Sequence, residues 1–422
     1  MDKIFVSGLG IVSALGLDKE STLQALCQGV SGVASVQYLQ TEHTGFPVGE
    51  VKLSNEEMQT LLSIPCDTPH TRTSLLGMLA VREALEHASL KTSSPHRMAF
   101  LNGTTVGGMD KTEQYYLDFL SNHSKDEYIA IHDCGACTEM IADYFGEMFC
   151  QIQTISTACS SAANAIMAGA ILLKNKQADV VVAGGCECLT KFHFNGFNTL
   201  MILDNEPCKP FDAHRHGINL GEGAAYVVLE TEDHFFARNK GCEPLAILSG
   251  YANTCDAFHQ TASSPNGEGA YRAMKQALEN AELQPADIDY INAHGTGTTN
   301  NDSSEAVAIS RIFGDKIPAV SSTKPFTGHA TSAAGGLEAV ISILSLQNNF
   351  MPANLNFSVK PEDVPFTPLL SGQYAQKPLQ HILSNSFGFG GNNTSLIFSK
   401  YSKDTKKNIS FETLSKIIVH CH

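Results

Sequence analysis

The chain has no tryptophan, and charge is scarce: 17% of its 422 residues are Asp, Glu, Lys or Arg. An average soluble domain carries roughly 25%. The apolar share is 43%. A disordered chain needs more charge and fewer apolar residues, so disorder is excluded. Low charge points instead to a large interior and a buried oligomer surface. Basic residues are the scarcer sign, 28 against 43 acidic, which leaves a formal charge of −15. A nucleic-acid binder normally presents a net basic face, and this balance argues against one. No apolar run approaches the ~18 residues of a membrane span. The opening MDKIFVSGLGIVSALG lacks a basic region followed by a long apolar core, and it reads as a strand rather than a signal peptide. Twelve cysteines are too sparse for a disulfide scaffold. The expectation is a cytoplasmic chain with reduced thiols. Length admits two or three domains, or one large α/β domain.

Short β-branched runs alternate with helical patterns. Strand-like segments include KIFVSGLGIVS, RMAFLNG, CQIQTIST, DVVVAGG, AAYVVLE, LAILSGY, IDYINAHG, AVSST and SLIFS. Helical patterns cover 70–88, 161–174, 268–281 and 332–347. This alternation predicts α/β architecture with partly parallel sheets. A weak internal repeat links QTISTACSSAANAIMAGAILL to AVSSTKPFTGHATSAAGGLEAVISIL. Each is a strand ending in Ser-Thr, then a reactive residue, then an Ala-rich helix. Two similar halves follow, with a break near 231–246. The division is 1–240, 241–400 and a tail, 401–422. That tail is lysine-rich, then weakly amphipathic through Phe411, Leu414, Ile417 and Ile418. It reads as a surface tail or a docked terminal helix. Its closing His420-Cys421-His422 cannot wrap one metal ion as a structural site does.

The most informative segment starts at Thr154. The strand TIST runs into Ala158-Cys159-Ser160-Ser161, and a helix follows. Cys159 therefore sits in a strand-to-helix turn, where a helix dipole and unpaired N–H groups favour a thiolate nucleophile. A buried structural cysteine is the competing reading. Two histidines also end strands beside Gly-rich loops: His294 in AHGTGT and His329 in TGHATSAAGG. Ligand sites in α/β sheets gather at such ends. Lys324 lies five residues before His329, either to orient it or as a surface lysine. SNSFGFGGNN at 384–393 reads as a glycine-rich loop with an aromatic gate, since Phe-Gly-Phe-Gly-Gly is no ordinary strand interior. It is not a phosphate cradle, because neither a GxGxxG after a strand nor a Gly-Lys-Ser/Thr occurs.

With these motifs the sequence resembles the β-ketoacyl-[acyl carrier protein] synthases, Cys-His-His condensing enzymes of the thiolase superfamily. The resemblance runs from residue 1 to about 400. It rests on STACSSAANAI, AGGCE, the Pro-Phe-Asp to Gly-Glu-Gly-Ala-Ala stretch at 210–225, AHGTGT, SSTKPFTGH with AAGGLEA, and SNSFGFGGNN, in that order. It implies a thiolase-like five-layer αβαβα fold of two pseudo-symmetric halves. It implies decarboxylative Claisen condensation of malonyl-carrier with an enzyme-bound acyl thioester. Cys159 matches the acyl-accepting nucleophile, and His294 and His329 the histidines that act on malonyl. Lys324 and Glu338 match the pair that supports them. The backbone N–H groups of Cys159 and Phe389 match an oxyanion hole, and Phe389 the gating aromatic. Thr296 and Thr298 match residues that hold the pantetheine arm. Val106 and Phe197 match positions lining the acyl cavity, with plain core packing as the alternative. Asn292, Glu338, Ser384 and Asn385 match a monovalent-cation site of some members, or else form a hydrogen-bonded scaffold.

The resemblance implies no cofactor, since substrates ride on the phosphopantetheine of an acyl carrier protein. It also implies a dimer, either of like chains or with a ketosynthase-like subunit. KFHFNGFNTLMILDNEPCKP departs from a housekeeping fatty-acid enzyme, which suits a specialised polyketide or polyene system. A thiolase would use a second cysteine as base, and the two His-Gly loops speak against it. A non-catalytic chain-length-factor-like subunit characteristically lacks the nucleophile, which is present. A papain-type protease has no need of two His-Gly loops. His214 with His216 and Cys134 with Cys137 read as structural, because no second pair completes a zinc set. Carrier proteins are acidic, so a chain of charge −15 is expected to dock one through a local basic patch.

Overall fold

The computed structural model describes residues 3–91, 96–239 and 241–402. The sequence reading of the tail beyond Ser402 lies outside them. Ten strands carry the architecture. In chain order they are β1 (Ile4–Ser13), β2 (Met98–Gly103), β3 (Gln151–Ile155), β4 (Val180–Glu187), β5 (Gly223–Thr231), β6 (Ala246–Cys255), β7 (Tyr290–Asn292), β8 (Ala319–Ser321), β9 (His381–Gly388) and β10 (Asn392–Ser399). They form one hydrogen-bonded sheet in the order β3-β2-β4-β5-β1-β6-β10-β9-β7-β8. Read outward from the middle, the two sides are the same. In the first, β1/β5 and β5/β4 are antiparallel while β4/β2 and β2/β3 are parallel. In the second, β6/β10 and β10/β9 are antiparallel while β9/β7 and β7/β8 are parallel. The halves meet through three residue pairs, Ile4–Leu248, Phe5–Ile247 and Val6–Ala246. The structure thus joins the two expected sheets along one short seam.

The helices alternate with the sheets. Those that frame the site and the core are α1 (Arg72–His87), α2 (Met109–Asn122), α3 (Ser161–Lys174), α4 (Lys191–Thr199), α5 (Glu268–Ala281), α6 (Thr299–Phe313) and α7 (Ala334–Asn348). Helix α1 packs outside β1, β4 and β5, and α5 outside β6 and β10. Between the half-sheets, α3 and α7 pack on each other and on both sides. The result is the αβαβα stack. Every residue of α7 from Ala334 to Leu346 is buried. A helix buried all round must be apolar all round, and AGGLEAVISILSL is so, apart from its serines and one charge, Glu338. Its close approach to α3 needs glycine. A Cβ on Gly335 would stand 2.9 Å from Ala163 Cβ and 3.0 Å from Ala163 N.

One expectation changes here. Ser384 to Gly388 are the end of strand β9, and Asn392 and Asn393 begin β10. Only Phe389-Gly390-Gly391 turns, with φ of 80° and 75° at the two glycines. The glycines therefore make a tight hairpin rather than a long loop.

Candidate active site

From Ile155 to Ser161 the chain leaves β3 and enters α3. Ala158 takes φ 52°, a region seldom used by residues with a Cβ. That strain sits one residue before Cys159 and turns its side chain out at the strand end. Side chains pin the turn. Ser161 Oγ accepts the Thr157 N–H at 2.8 Å and donates to the Ala158 carbonyl at 2.7 Å. Asn164 Nδ2 donates to Thr157 Oγ1 and to Asn392 Oδ1, both at 2.9 Å. Asn392 opens β10, so the second half helps hold the first half's turn.

Cys159 is buried, 6% exposed. Burial pushes its thiol up to about 11, while the Lys324 charge and an N–H donated by Phe389 pull it part-way back. This corrects the expectation of a lowered thiol pKa. The helix end is present, yet a thiolate loses more hydration here than its neighbours return. Cys159 rests as a neutral thiol at pH 7.

His294 follows β7. Its own N–H and that of Gly295 donate to the two oxygens of Glu305, at 2.9 and 2.8 Å. The next N–H groups, of Thr296 and Gly297, donate to Asp302. Asp302 also takes the Phe211 N–H at 2.8 Å. Glu305 and Asp302 both project from α6 and clamp the loop as a rigid saddle. Burial pushes Glu305 up to about 7 against those N–H groups. Sequence reading passed over both residues. The signal was there: in TNNDSSEA they stand three apart near a helix start, on one face.

His329 follows β8, its N–H donated to the Asn219 carbonyl at 2.8 Å. Its ring centroid is 5.3 Å from that of His294 and almost perpendicular. Lys324 is 2% exposed and donates to the His294 carbonyl, to His294 Nδ1 and to Glu338 Oε1. Three acceptors use all three protons of an ammonium. His294 Nδ1 is thus an acceptor, and its proton is assigned to Nε2. His329 Nδ1 is buried with no partner. A proton there would be a stranded donor, so Nε2 carries it as well. Both imidazoles are held well below the usual histidine range, first by burial, then by Lys324; His329 further lowers His294, and His193 further lowers His329. The site therefore presents two neutral imidazoles, each with an Nε2–H.

One cavity brings together Cys159, His294, His329, Thr296, Thr298, Phe197 and Phe389. Thr296 and Thr298 share a hydroxyl contact of 2.8 Å. Phe197, from α4, stacks on Phe389 at 5.8 Å and 19°. Val106 does not join them. It is 1% exposed and packs in the outer core of the first half, with Cys137 and Ile141. Of the four cation candidates, Asn292 pairs with Ser384 across β7 and β9 and touches the Glu338 carbonyl at 3.4 Å. Ser384 Oγ is buried without a partner, as an ion-ligating oxygen would be. Asn385 faces the other way, donating to Glu305 at 3.1 Å, because neighbours along a strand alternate faces. Among the described residues, no group of three or more His, Cys, Asp or Glu could hold a metal ion. No helix among them is long and apolar enough to cross a membrane.

Known proteins share this arrangement of elements. The beta-ketoacyl synthase N-terminal domain matches residues 1–234, and the C-terminal domain of the same family residues 245–358. The 3-oxoacyl-[acyl-carrier-protein] synthase 1 of Haemophilus influenzae is 32% identical over 95% of this chain and 100% of its own length. Synthase 2 of Coxiella burnetii is 33% identical over 94% and 98%. Among solved structures, the ishigamide ketosynthase/chain length factor superposes with a TM-score of 0.88 at 27% identity, over 95% of this chain and 100% of that one. A chain of the complex of the ketosynthase ApeO with its chain length factor ApeC from Xenorhabdus doucetiae gives 0.81 at 31% identity, over 95% and 98%. With both domains matched in order over a thiolase-like stack, the chain belongs to the β-ketoacyl synthase family of acyl-condensing transferases.

Proposed function

We propose that Cys159 carries the growing acyl chain and that His294 and His329 generate the carbanion that extends it. The observation that carries this division is the pair of neutral imidazoles in one cavity with the only cysteine of the strand-to-helix turn. In the first half-reaction the Cys159 sulfur attacks an acyl thioester. The carrier thiol leaves, and the Cys159 proton passes to it. In the second, a malonyl thioester enters and loses CO₂. Charge develops on its thioester oxygen, where two Nε2–H donors meet it. The enolate carbon then attacks the Cys159 thioester carbonyl. The N–H groups of Cys159 and Phe389 take the new oxyanion, and the Cys159 thiolate leaves and regains a proton. Lys324 and Glu338 fix the His294 tautomer. Thr296 and Thr298 hold the pantetheine arm, and Phe197 with Phe389 closes the acyl side of the cavity.

The substrates ride on an acyl carrier protein, as the relatives' names state for them. No cofactor takes part. Where a monovalent cation binds, Asn292, Ser384 and Glu338 hold it. The chain works as a cytoplasmic dimer. Supporting this, β3 is an edge strand with Ile152 39% exposed, and α2 buries no residue while exposing Leu117 and Leu120. The partner is a like chain or a chain length factor, as for ApeO. Incubation with acyl-carrier thioester should place one acyl adduct on Cys159 by mass spectrometry. An adduct that persists undiminished in Cys159→Ala refutes the assignment.

A further inference from the structure

We propose that Glu187 and Thr331 are positioning residues for His329, holding it for the malonyl half-reaction; this rests on the function proposed above. The two histidines of the site are not anchored alike. Lys324 bonds the His294 ring directly, at Nδ1. The His329 ring has no such anchor, because its Nδ1 is buried without a partner. Its aim therefore depends on where the backbone puts it. At His329 itself that backbone is fixed. The His329 N–H donates to the Asn219 carbonyl at 2.8 Å, and the His329 carbonyl accepts the Gly221 N–H at 3.0 Å. Two residues on, Thr331 takes φ 40°. A β-branched residue there is a true outlier, and such strain persists only where the surroundings over-determine it. Among the described residues with positive φ, Thr331 is the only β-branched one. Its carbonyl accepts the Ala334 N–H where α7 begins, so the strained residue joins His329 to the buried helix.

Glu187 supplies the constraint. It closes β4 and is fully buried. Thr331 Oγ1 donates to its Oε1 at 2.9 Å. Four further donors, all from residues 104–106 just past β2, converge on the same group. Thr104 Oγ1 reaches Oε2 at 2.8 Å, and the N–H groups of Thr105 and Val106 reach it at 3.0 and 3.1 Å. Thr105 Oγ1 donates to Oε1. Two N–H groups and three hydroxyls around two oxygens are the company of a carboxylate rather than a carboxyl. Held from so many sides, Glu187 cannot follow the turn, and the turn must come to it. Neither Glu187 nor Thr331 lines the cavity that holds Cys159. Both therefore act through His329 and not on substrate. The halves thus brace each other. Asn392 of the second pins the turn at Cys159, and Glu187 of the first pins the turn after His329.

The test separates the two half-reactions in the full chain. Acylation of Cys159 from an acyl-pantetheine thioester is read by mass spectrometry. Malonyl decarboxylation is read as CO₂ released from saturating malonyl-pantetheine by protein already acylated at Cys159. Thr331→Val keeps the β-branch and removes the hydroxyl. It should slow decarboxylation about tenfold, as loss of one hydrogen bond to a charged group would. Its acylation rate should change less than about twofold, which also shows that the variant folds. Thr331→Ser restores the hydroxyl and should decarboxylate within about twofold of wild type. Glu187→Gln keeps the shape, turns one acceptor into a donor, and should show the same split between half-reactions. Decarboxylation within about twofold of wild type in both Thr331→Val and Glu187→Gln overturns the inference. So does an equal loss of both half-reactions in Thr331→Val, the mark of a general fold defect. A Thr331→Ser variant as slow as Thr331→Val overturns it as well, since the hydroxyl would then not be the tie. Wild-type protein that neither acylates nor decarboxylates would instead refute the proposed chemistry.

Discussion

Replacing Lys324 by Met should produce a stability defect that grows with pH above neutrality. Glu338 lies on the all-buried helix α7, and burial pushes its carboxyl up to about 7, with Lys324 the main force pulling it down. In the unfolded chain it ionises near its ordinary 4.5. Retaining the proton in the folded state therefore gives stability that is complete below the unfolded value and is lost as pH rises through about 7. Without Lys324, the folded carboxyl must climb further. Below neutrality both proteins hold Glu338 protonated, so the deficit is flat. It amounts to about 1–3 kcal/mol, for the buried acceptors on His294 and Glu338 left unmet. Above neutrality the wild type ionises against its ammonium and the variant does not. The deficit then widens by about 1.4 kcal/mol for each pH unit. Urea unfolding at a series of pH values from about 6 to 9 reads this directly. The added change Glu338→Gln should abolish the slope. A deficit that is constant or narrows as pH rises would show that the Lys324–Glu338 pair is not the electrostatic unit described.

Other consequences are equally measurable. His294→Ala and His329→Ala should each lower malonyl decarboxylation about 10²–10³-fold while retaining some self-acylation; normal decarboxylation in both variants refutes their role. Alkylation of Cys159 by iodoacetamide, read on its own peptide, should rise about tenfold per pH unit from pH 7 to 9, since thiolate accumulates toward a pKa of about 11. A plateau near neutrality would mean that the helix end outweighs burial after all. Gly335→Ala should cost about 1–3 kcal/mol in denaturant unfolding by overpacking α7 on α3, and no loss would show that the helices have slack.

Much of the architecture was legible because its signals are local. The β-branched runs and the four helical patterns fall on strands and helices within a few residues, and the repeat around Cys159 and His329 marks equivalent strand-to-helix turns in the two halves. Cys159, His294, His329 and Lys324 stand out because each sits in a short motif. What failed to show is set by tertiary context. Glu305 and Asp302 are ordinary helix residues until the fold swings the AHGTGT loop over them. Val106 reads as a cavity residue from its neighbours in sequence, yet the turn at Gly107 and its N–H bond to Glu187 place it in the outer core. The thiol of Cys159 illustrates a contest between effects. The helix end is visible in sequence, whereas the burial that outweighs it exists only once the cavity closes.

In the reaction proposed above, the carbon–carbon bond has one end on each half of the molecule: the acyl carbon rests on the first, and the histidines that ready its partner belong to the second. Polar bonds such as Asn164 to Asn392 tie the two halves here, and a close packing contact limits how near they come. Gly335, six residues beyond His329, lies against Ser386 and against Ala163, four beyond Cys159, and that close stop acts as a gauge block. The tolerance of the reaction is therefore machined by the absence of a side chain. A single methyl at Gly335 would be read at the reacting carbons as a change of reach, and chain extension would slow before either histidine or the cysteine was touched.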